Sequence, residues 1–158
     1  MSEDLFGDLR DLYQEVILDH GRKPRNFRRL DDATVVSRGD NPMCGDRMEL
    51  FLKTATDGAI QDAAFQGRGC AISMASASLM TETVKGKTPA QAKQMGDAFR
   101  ALAMTGVCPD CGGEIADEME RLTPLSGVHE FPSRVKCATL AWHTLNAALD
   151  GAREASSE

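Results

Sequence analysis

MELFLKTATDGAIQDAAFQGRGC, residues 48–70, is the stretch whose reading decides the fold. Met48, Leu50 and Leu52 alternate with Glu49, Phe51 and Lys53, the period of a half-buried strand. Asp57 and Gly58 form a tight-turn dipeptide, so Ile60 to Gln66 is expected to pair back as an antiparallel hairpin. After Gly67-Arg68-Gly69 the period changes, and a helix is expected from Cys70 to about Lys85. Two glycines at that junction let the backbone turn sharply from strand to helix.

Outward from this stretch the pattern extends in both directions. Ala33 to Ser37 is short and β-branched, which adds a third strand. Leu5, Leu9, Leu12, Val16 and Leu18 recur at helical spacing and predict an amphipathic helix over about 3–20, with Gly21 as its C-cap and Pro24 blocking continuation. Thr88-Pro89 opens a helix to about Met104. Glu114 to Leu122 reads as a short acidic helix, followed by a loop through Pro124, Ser126 and Gly127 to Pro132. The last helix spans about Ser133 to Leu149, and the polar tail Arg153 to Glu158 is expected to fray. The sum is an α+β domain, a small three-stranded antiparallel sheet packed against several helices. Residues 1–158 are expected to form one such domain, with no repeat or linker.

Composition narrows the function. The chain carries a formal net charge of −6, which argues against a nucleic-acid backbone as partner. The basic run Arg22 to Arg29 is broken by Pro24 and Asn26 and reads as a solvated loop or a protein-docking surface. No stretch is apolar enough to span a bilayer, and the N-terminus lacks a secretory layout, so a cytoplasmic protein is expected. Five cysteines in a reducing compartment are ligands or reactive thiols before they are disulfides.

Three of the five share a setting. Cys44 and Asp46 lie two apart in Asn41-Pro-Met-Cys-Gly-Asp46, and in an extended segment such residues face one point. A soft and a hard ligand converging is a pair that zinc accepts. Cys70 is placed at a helix start and Cys137 in the first turn or so of the last helix, each near an Arg or Lys. The helix dipole and those cations favour the thiolate. A lone cysteine is more often a small buried hydrophobe, and spacings of 26 and 67 residues are no local metal motif, so a shared site depends on the fold.

These residues together resemble a known family. Asn41 to Asp46, Gly67-Arg-Gly-Cys-Ala-Ile-Ser73, Ala75 to Thr81 and Phe131-Pro-Ser-Arg-Val-Lys-Cys-Ala-Thr-Leu-Ala-Trp142 are similar to the SufU/IscU (NifU N-terminal-like) iron–sulfur cluster assembly family, over roughly residues 9–150. Leu12 to His20 and Pro24 to Asn26 fit as well. Lys136 stands where the IscU branch has a histidine, and a segment at about 105–123 supplies the insertion of the SufU branch. The SufU resemblance implies zinc (Zn2+) held by Cys44, Asp46, Cys70 and Cys137, and a SufS-type PLP-dependent cysteine desulfurase as partner. It also implies that a histidine of the desulfurase takes a zinc position and frees Cys44 to accept persulfide sulfur, as a zinc-dependent sulfurtransferase of the SUF system. Downstream iron–sulfur scaffold proteins would be further partners. Arg134 is a candidate to open the site or stabilise the transferred persulfide. The alternative is a scaffold that assembles a 2Fe–2S cluster on the same residues.

Cys108-Pro-Asp-Cys111-Gly-Gly113 departs from the family core. Its options are a second metal site completed by another subunit, a redox-active dithiol or disulfide, or an uninvolved insertion loop; flanking glycines favour the loop. His20, His129 and His143 are expected at surface or capping positions, His129 being the one near enough in chain to compete for metal. Ala71 to Ser78 is expected to pack closely on the sheet, without a catalytic role for Ser73, Ser76 or Ser78. Trp142 is assigned to the core.

Overall fold

A computed structural model describes residues 13–42, 44–108, 112–151 and 153–156. The expected hairpin is present: β2 (Asp46–Thr54) pairs antiparallel with β3 (Ile60–Arg68). β1 (Val35–Asn41) lies along the other side of β2, with Val35 opposite Leu52 and Asn41 opposite Asp46. The sheet has four strands rather than three. Glu154–Ser156 forms β4, parallel to β1, and the order is β3-β2-β1-β4. The expected frayed tail is corrected there, because an edge strand is held by backbone groups and needs no apolar side chains. The Arg38 N–H donates to the Arg153 carbonyl at 2.8 Å as the chain enters β4.

Helices cover one face of the sheet. Residues 13–22 are helical and form α1. They are followed by α2 (Ala71–Val84), α3 (Pro89–Thr105), α4 (Ala116–Leu122) and α5 (Pro132–Leu149). Met48, Leu50, Leu52, Ala63 and Phe65 of the sheet join Leu79, Met80, Phe99, Leu140 and Leu145 in the main core. Trp142 is in that core as expected, its ring stacked on Phe99 with centroids 5.1 Å apart. Phe51 departs from simple alternation. It points to the other face but is only 2% exposed, in a small cluster with Leu30 and Ala64.

Local chemistry fixes the element ends. Thr88 caps α3: its hydroxyl accepts from the Gln91 N–H at 3.1 Å, and the Gln91 side chain accepts from the Thr88 N–H at 3.0 Å. Such a cap is worth about 1 kcal/mol. The expected loop before Pro132 is instead a run of 3-10 turns, Thr123–Glu130. Leu125 and Val128 are buried within it, and with Ile115, Met119 and Leu122 they extend the core. Burial of those apolar side chains outweighed the turn preferences of Pro124, Ser126 and Gly127. Among the described residues no helix is long and apolar enough to cross a membrane.

The first helix also differs from expectation. It continues through residue 22, so Gly21 is not its C-cap; a Cβ there would sit 3.3 Å from Ala71, the first residue of α2. His20 is buried rather than on the surface. Its Nδ1 lies 2.7 Å from Ser78 Oγ, which also accepts from the Arg25 N–H at 2.8 Å. On the other side of the ring, Nε2 faces Glu82 at 3.9 Å. Ser78 is fully buried and both its hydrogen bonds are structural, which fits the non-catalytic reading.

Burial, reinforced by Arg25, lowers the His20 pKa below its ordinary 6.5. The folded state therefore binds fewer protons than the unfolded state, and its stability is complete above about pH 6.5 and declines as pH falls below it. His143, also lowered by burial, contributes in the same sense. Urea unfolding at pH 7.5 and 5.5 is expected to give a smaller pH difference for His20→Gln than for the parent; an equal difference would contradict this assignment.

Candidate metal and thiol centre

Four chain segments meet at one end of the sheet. Asn41 ends β1 and Asp46 begins β2 directly opposite it. Between them the Asn41 carbonyl accepts from the N–H groups of Cys44 at 3.2 Å and Gly45 at 2.9 Å. Gly45 has φ of +72°, a left-handed conformation that a side chain would strain. Cys44 and Asp46 therefore converge through a turn, not along an extended strand as the sequence suggested. The turn leaves Cys44 exposed and drives Asp46 to 1% exposure.

The buried carboxylate is pinned from two sides. Asp46 Oδ1 accepts from the Cys70 N–H at 3.0 Å, and Oδ2 accepts from Asn41 Nδ2 at 3.4 Å. Cys70 is the N-cap of α2, with extended backbone and no side-chain cap bond, so its thiol is not tied up in capping. Gly69 is required by close approach: a Cβ there would lie 2.6 Å from Asp46 Oδ1. The strand-to-helix junction is thus built around the carboxylate.

Cys137 is deeper in its helix than expected. It follows Pro132, the first residue of α5, by five positions, which places it in the second turn, and it is fully buried. Its Sγ lies 3.6 Å from the Ser133 carbonyl and 3.8 Å from Asn41 Nδ2. Burial, followed by the neighbouring Asp46, Cys70 and Cys44, pushes the metal-free thiol well above the ordinary thiol range. The expected depression by the helix terminus and nearby cations is overruled, because the dipole acts within the first turn and the neighbours are themselves acidic groups. Arg134 is exposed, and the neighbouring thiols of Cys137 and Cys70 raise its pKa.

One thiol each from Cys44 and Cys137 and a carboxylate oxygen of Asp46 lie within 4.8 Å of one another. Tetrahedral zinc with three sulfurs and an oxygen needs ligand separations of roughly 3.5–3.8 Å. Cys70 is outside that set of three but near enough to Cys137 to help raise its pKa. Two thiols, a third beside them and a carboxylate form a donor set suited to zinc.

Asn41 is a participant the sequence reading did not single out. It is fully buried and reaches Asp46 and Cys137 with one amide nitrogen, while its carbonyl organises the Cys44 turn. Its Oδ1 has no hydrogen-bond partner among the described residues. The alternation Ser37, Gly39, Asn41 down the inward face of β1 was the available signal. The other sequence candidates lie elsewhere. Cys108 is half-buried against the core and disulfide-bonded rather than in an uninvolved loop; Cys111 falls outside the described residues. His129 is exposed, with Nδ1 2.8 Å from the Ser126 carbonyl.

Comparison with known proteins agrees with this architecture. Residues 12–155 match the NifU-like N terminal domain family. The chain is 44% identical over 142 residues to the zinc-dependent sulfurtransferase SufU of Bacillus subtilis, covering 87% of this chain and 89% of that protein. It is 39% identical over 140 residues to the iron–sulfur cluster assembly scaffold protein IscU of Thermotoga maritima, covering 87% and 92%. A crystal structure from Fervidobacterium islandicum, described as an iron–sulfur cluster assembly scaffold protein for the SUF system, superposes with a TM-score of 0.77 at 33% identity, covering 85% of this chain and 94% of that one. On sequence and fold together, this chain belongs to the NifU-like N-terminal domain family.

Proposed function

We propose that this chain is a zinc-dependent sulfurtransferase of iron–sulfur cluster assembly in the cytoplasm, taking sulfur onto Cys44 from a SufS-type PLP-dependent cysteine desulfurase. The observation that carries the reading is the asymmetry of the site: Cys44 is exposed on a turn, whereas Asp46 and Cys137 beside it are buried. The likeness to the Bacillus SufU supports it. Residues 1–158 would act as one unit, with about 105–123 as an inserted segment.

Cys44, Asp46, Cys70 and Cys137 would hold the metal. Bound zinc keeps its thiolate ligands deprotonated near neutral pH and has no redox chemistry of its own. The protein does the rest. Cys70 N–H and Asn41 Nδ2 fix the Asp46 carboxylate, and Arg134 at the sulfurs offsets the excess negative charge of the donor set. The Cys44 thiolate attacks the terminal sulfur of the donor's persulfide. The donor's S–S bond breaks, its cysteine leaves as thiolate, and Cys44 carries the sulfane sulfur as a new persulfide for downstream iron–sulfur proteins.

The second reading is a scaffold assembling a 2Fe–2S cluster on the same residues, favoured by the scaffold name of the Thermotoga relative. Lys136, where the resemblance places a histidine in that branch, favours zinc.

Metal analysis of protein purified without added metal, paired with a desulfurase-activation assay, decides between them. About one zinc per chain and activation lost in a folded Cys44→Ala variant are expected. A cluster absorbing in the visible with no zinc would overturn the proposal, and an unfolded Cys44→Ala would point to a purely structural metal. Arg134→Ala is expected to slow transfer; unchanged transfer and zinc affinity would remove its role. Asn41→Ala is expected to weaken zinc binding about 10–100-fold in chelator competition, the usual cost of losing a group that orients a ligand. Unaltered affinity would make Asn41 a packing residue only.

A further inference from the structure

The distribution of paired and unpaired cations is uneven. Ten of the described Lys and Arg side chains form ion pairs with carboxylates, among them Arg25–Asp19, Arg28–Asp62, Lys87–Glu118 and Lys93–Asp150. Among the described residues, Arg22, Lys23, Arg68 and Arg134 have no carboxylate partner, and neither do Arg100 and Arg153. The first four are exposed and lie in chain segments that adjoin Cys70 or Cys137.

Their placement follows from the fold. Arg68 lies two residues before Cys70 and opposite Arg47 in the β2–β3 ladder. Arg22 and Lys23 follow Gly21, which packs on Ala71, the residue after Cys70. Arg134 lies three residues before Cys137 in α5, close enough for Cys70 and Cys137 to raise its pKa. Nearby carboxylates are largely engaged, Asp19 with Arg25, Asp40 with Arg47 and Glu49 with Arg38, although Glu130 stands exposed before Pro132 and Glu154 lines a cavity that Arg68 shares. Arg134 balances the donor set, but Arg22, Lys23 and Arg68 are a surplus of exposed positive charge in a chain of net −6.

We propose that Arg22, Lys23 and Arg68 form a cationic rim that docks an acidic protein surface, the face of the sulfur donor around the entrance to its persulfide. This rests on the sulfurtransferase reading above and adds the chemistry of the partner's surface. A bounded acidic face suits the rim. A nucleic acid does not, since the remainder of this acidic chain would repel it. Exposed charges of this kind speed encounter and fix orientation more than they deepen a complex, and they are screened beyond about 8 Å at physiological salt.

The test uses full-length zinc-loaded protein and a cysteine desulfurase that it activates. Desulfurase turnover is measured against the concentration of this chain at several salt concentrations. For the parent, the concentration giving half-maximal activation is expected to rise steeply with salt. For the triple variant Arg22→Glu, Lys23→Glu, Arg68→Glu it is expected to rise roughly ten-fold or more at low salt, with the maximal rate, zinc content and circular dichroism unchanged. Arg100→Glu with Arg153→Glu, which removes the unpaired cations away from the thiols, is expected to behave as the parent. An unshifted triple variant, or a parent indifferent to salt, overturns the rim while leaving the sulfurtransferase reading intact. A parent that accepts no sulfur from any desulfurase overturns that reading and this partner together.

Discussion

Asp46 is a carboxylate at 1% exposure, and the reactive end of the molecule is arranged around keeping it there. Burying an anion is costly unless its oxygens are met by donors. Here one oxygen takes the Cys70 N–H and the other the Asn41 amide. Those two bonds tie the end of β1 and the start of β2 to the start of α2. They also force glycine at position 69, because nothing larger fits beside Oδ1. A residue whose chemistry is that of a hard ligand thereby sets the positions of two soft ones.

The same packing gives the thiols unequal surroundings. Cys137 sits within the wall of α5, where burial opposes its ionisation, while Cys44 stands on a turn open to solvent. A metal ion would reverse the penalty on Cys137 by replacing its proton, so metal affinity and proton release are coupled at this site. The exposed thiol is then the one that a macromolecular donor can reach. Charge follows the same division, with the exposed Arg134 close enough to Cys137 and Cys70 for them to raise its pKa.

Much of this could be read from the chain. The alternation of Met48, Leu50 and Leu52, the Asp57-Gly58 turn and the Thr88-Pro89 helix start are local signals, and the structure follows them. Interactions distant in sequence were not legible in the same way. β4 exists because α5 returns the chain to the free edge of β1, which no property of Glu154 to Ser156 announces. Leu125 and Val128 went inward because a core was already there. His20 is buried through Ser78, 58 positions away. At the site, Cys44, Asp46 and Cys137 were identifiable as residues, but their convergence depended on tertiary packing. Asn41 was visible only as the last inward position of β1.

The central claim is that three sulfurs and one carboxylate oxygen form a single zinc site. Zinc X-ray absorption fine structure on the full-length protein, purified without added metal, measures that shell directly. The account predicts about three sulfurs near 2.3 Å and one oxygen near 2.0 Å, with the oxygen contribution altered in Asp46→Ala. A shell of four sulfurs, or one dominated by nitrogen, would contradict it.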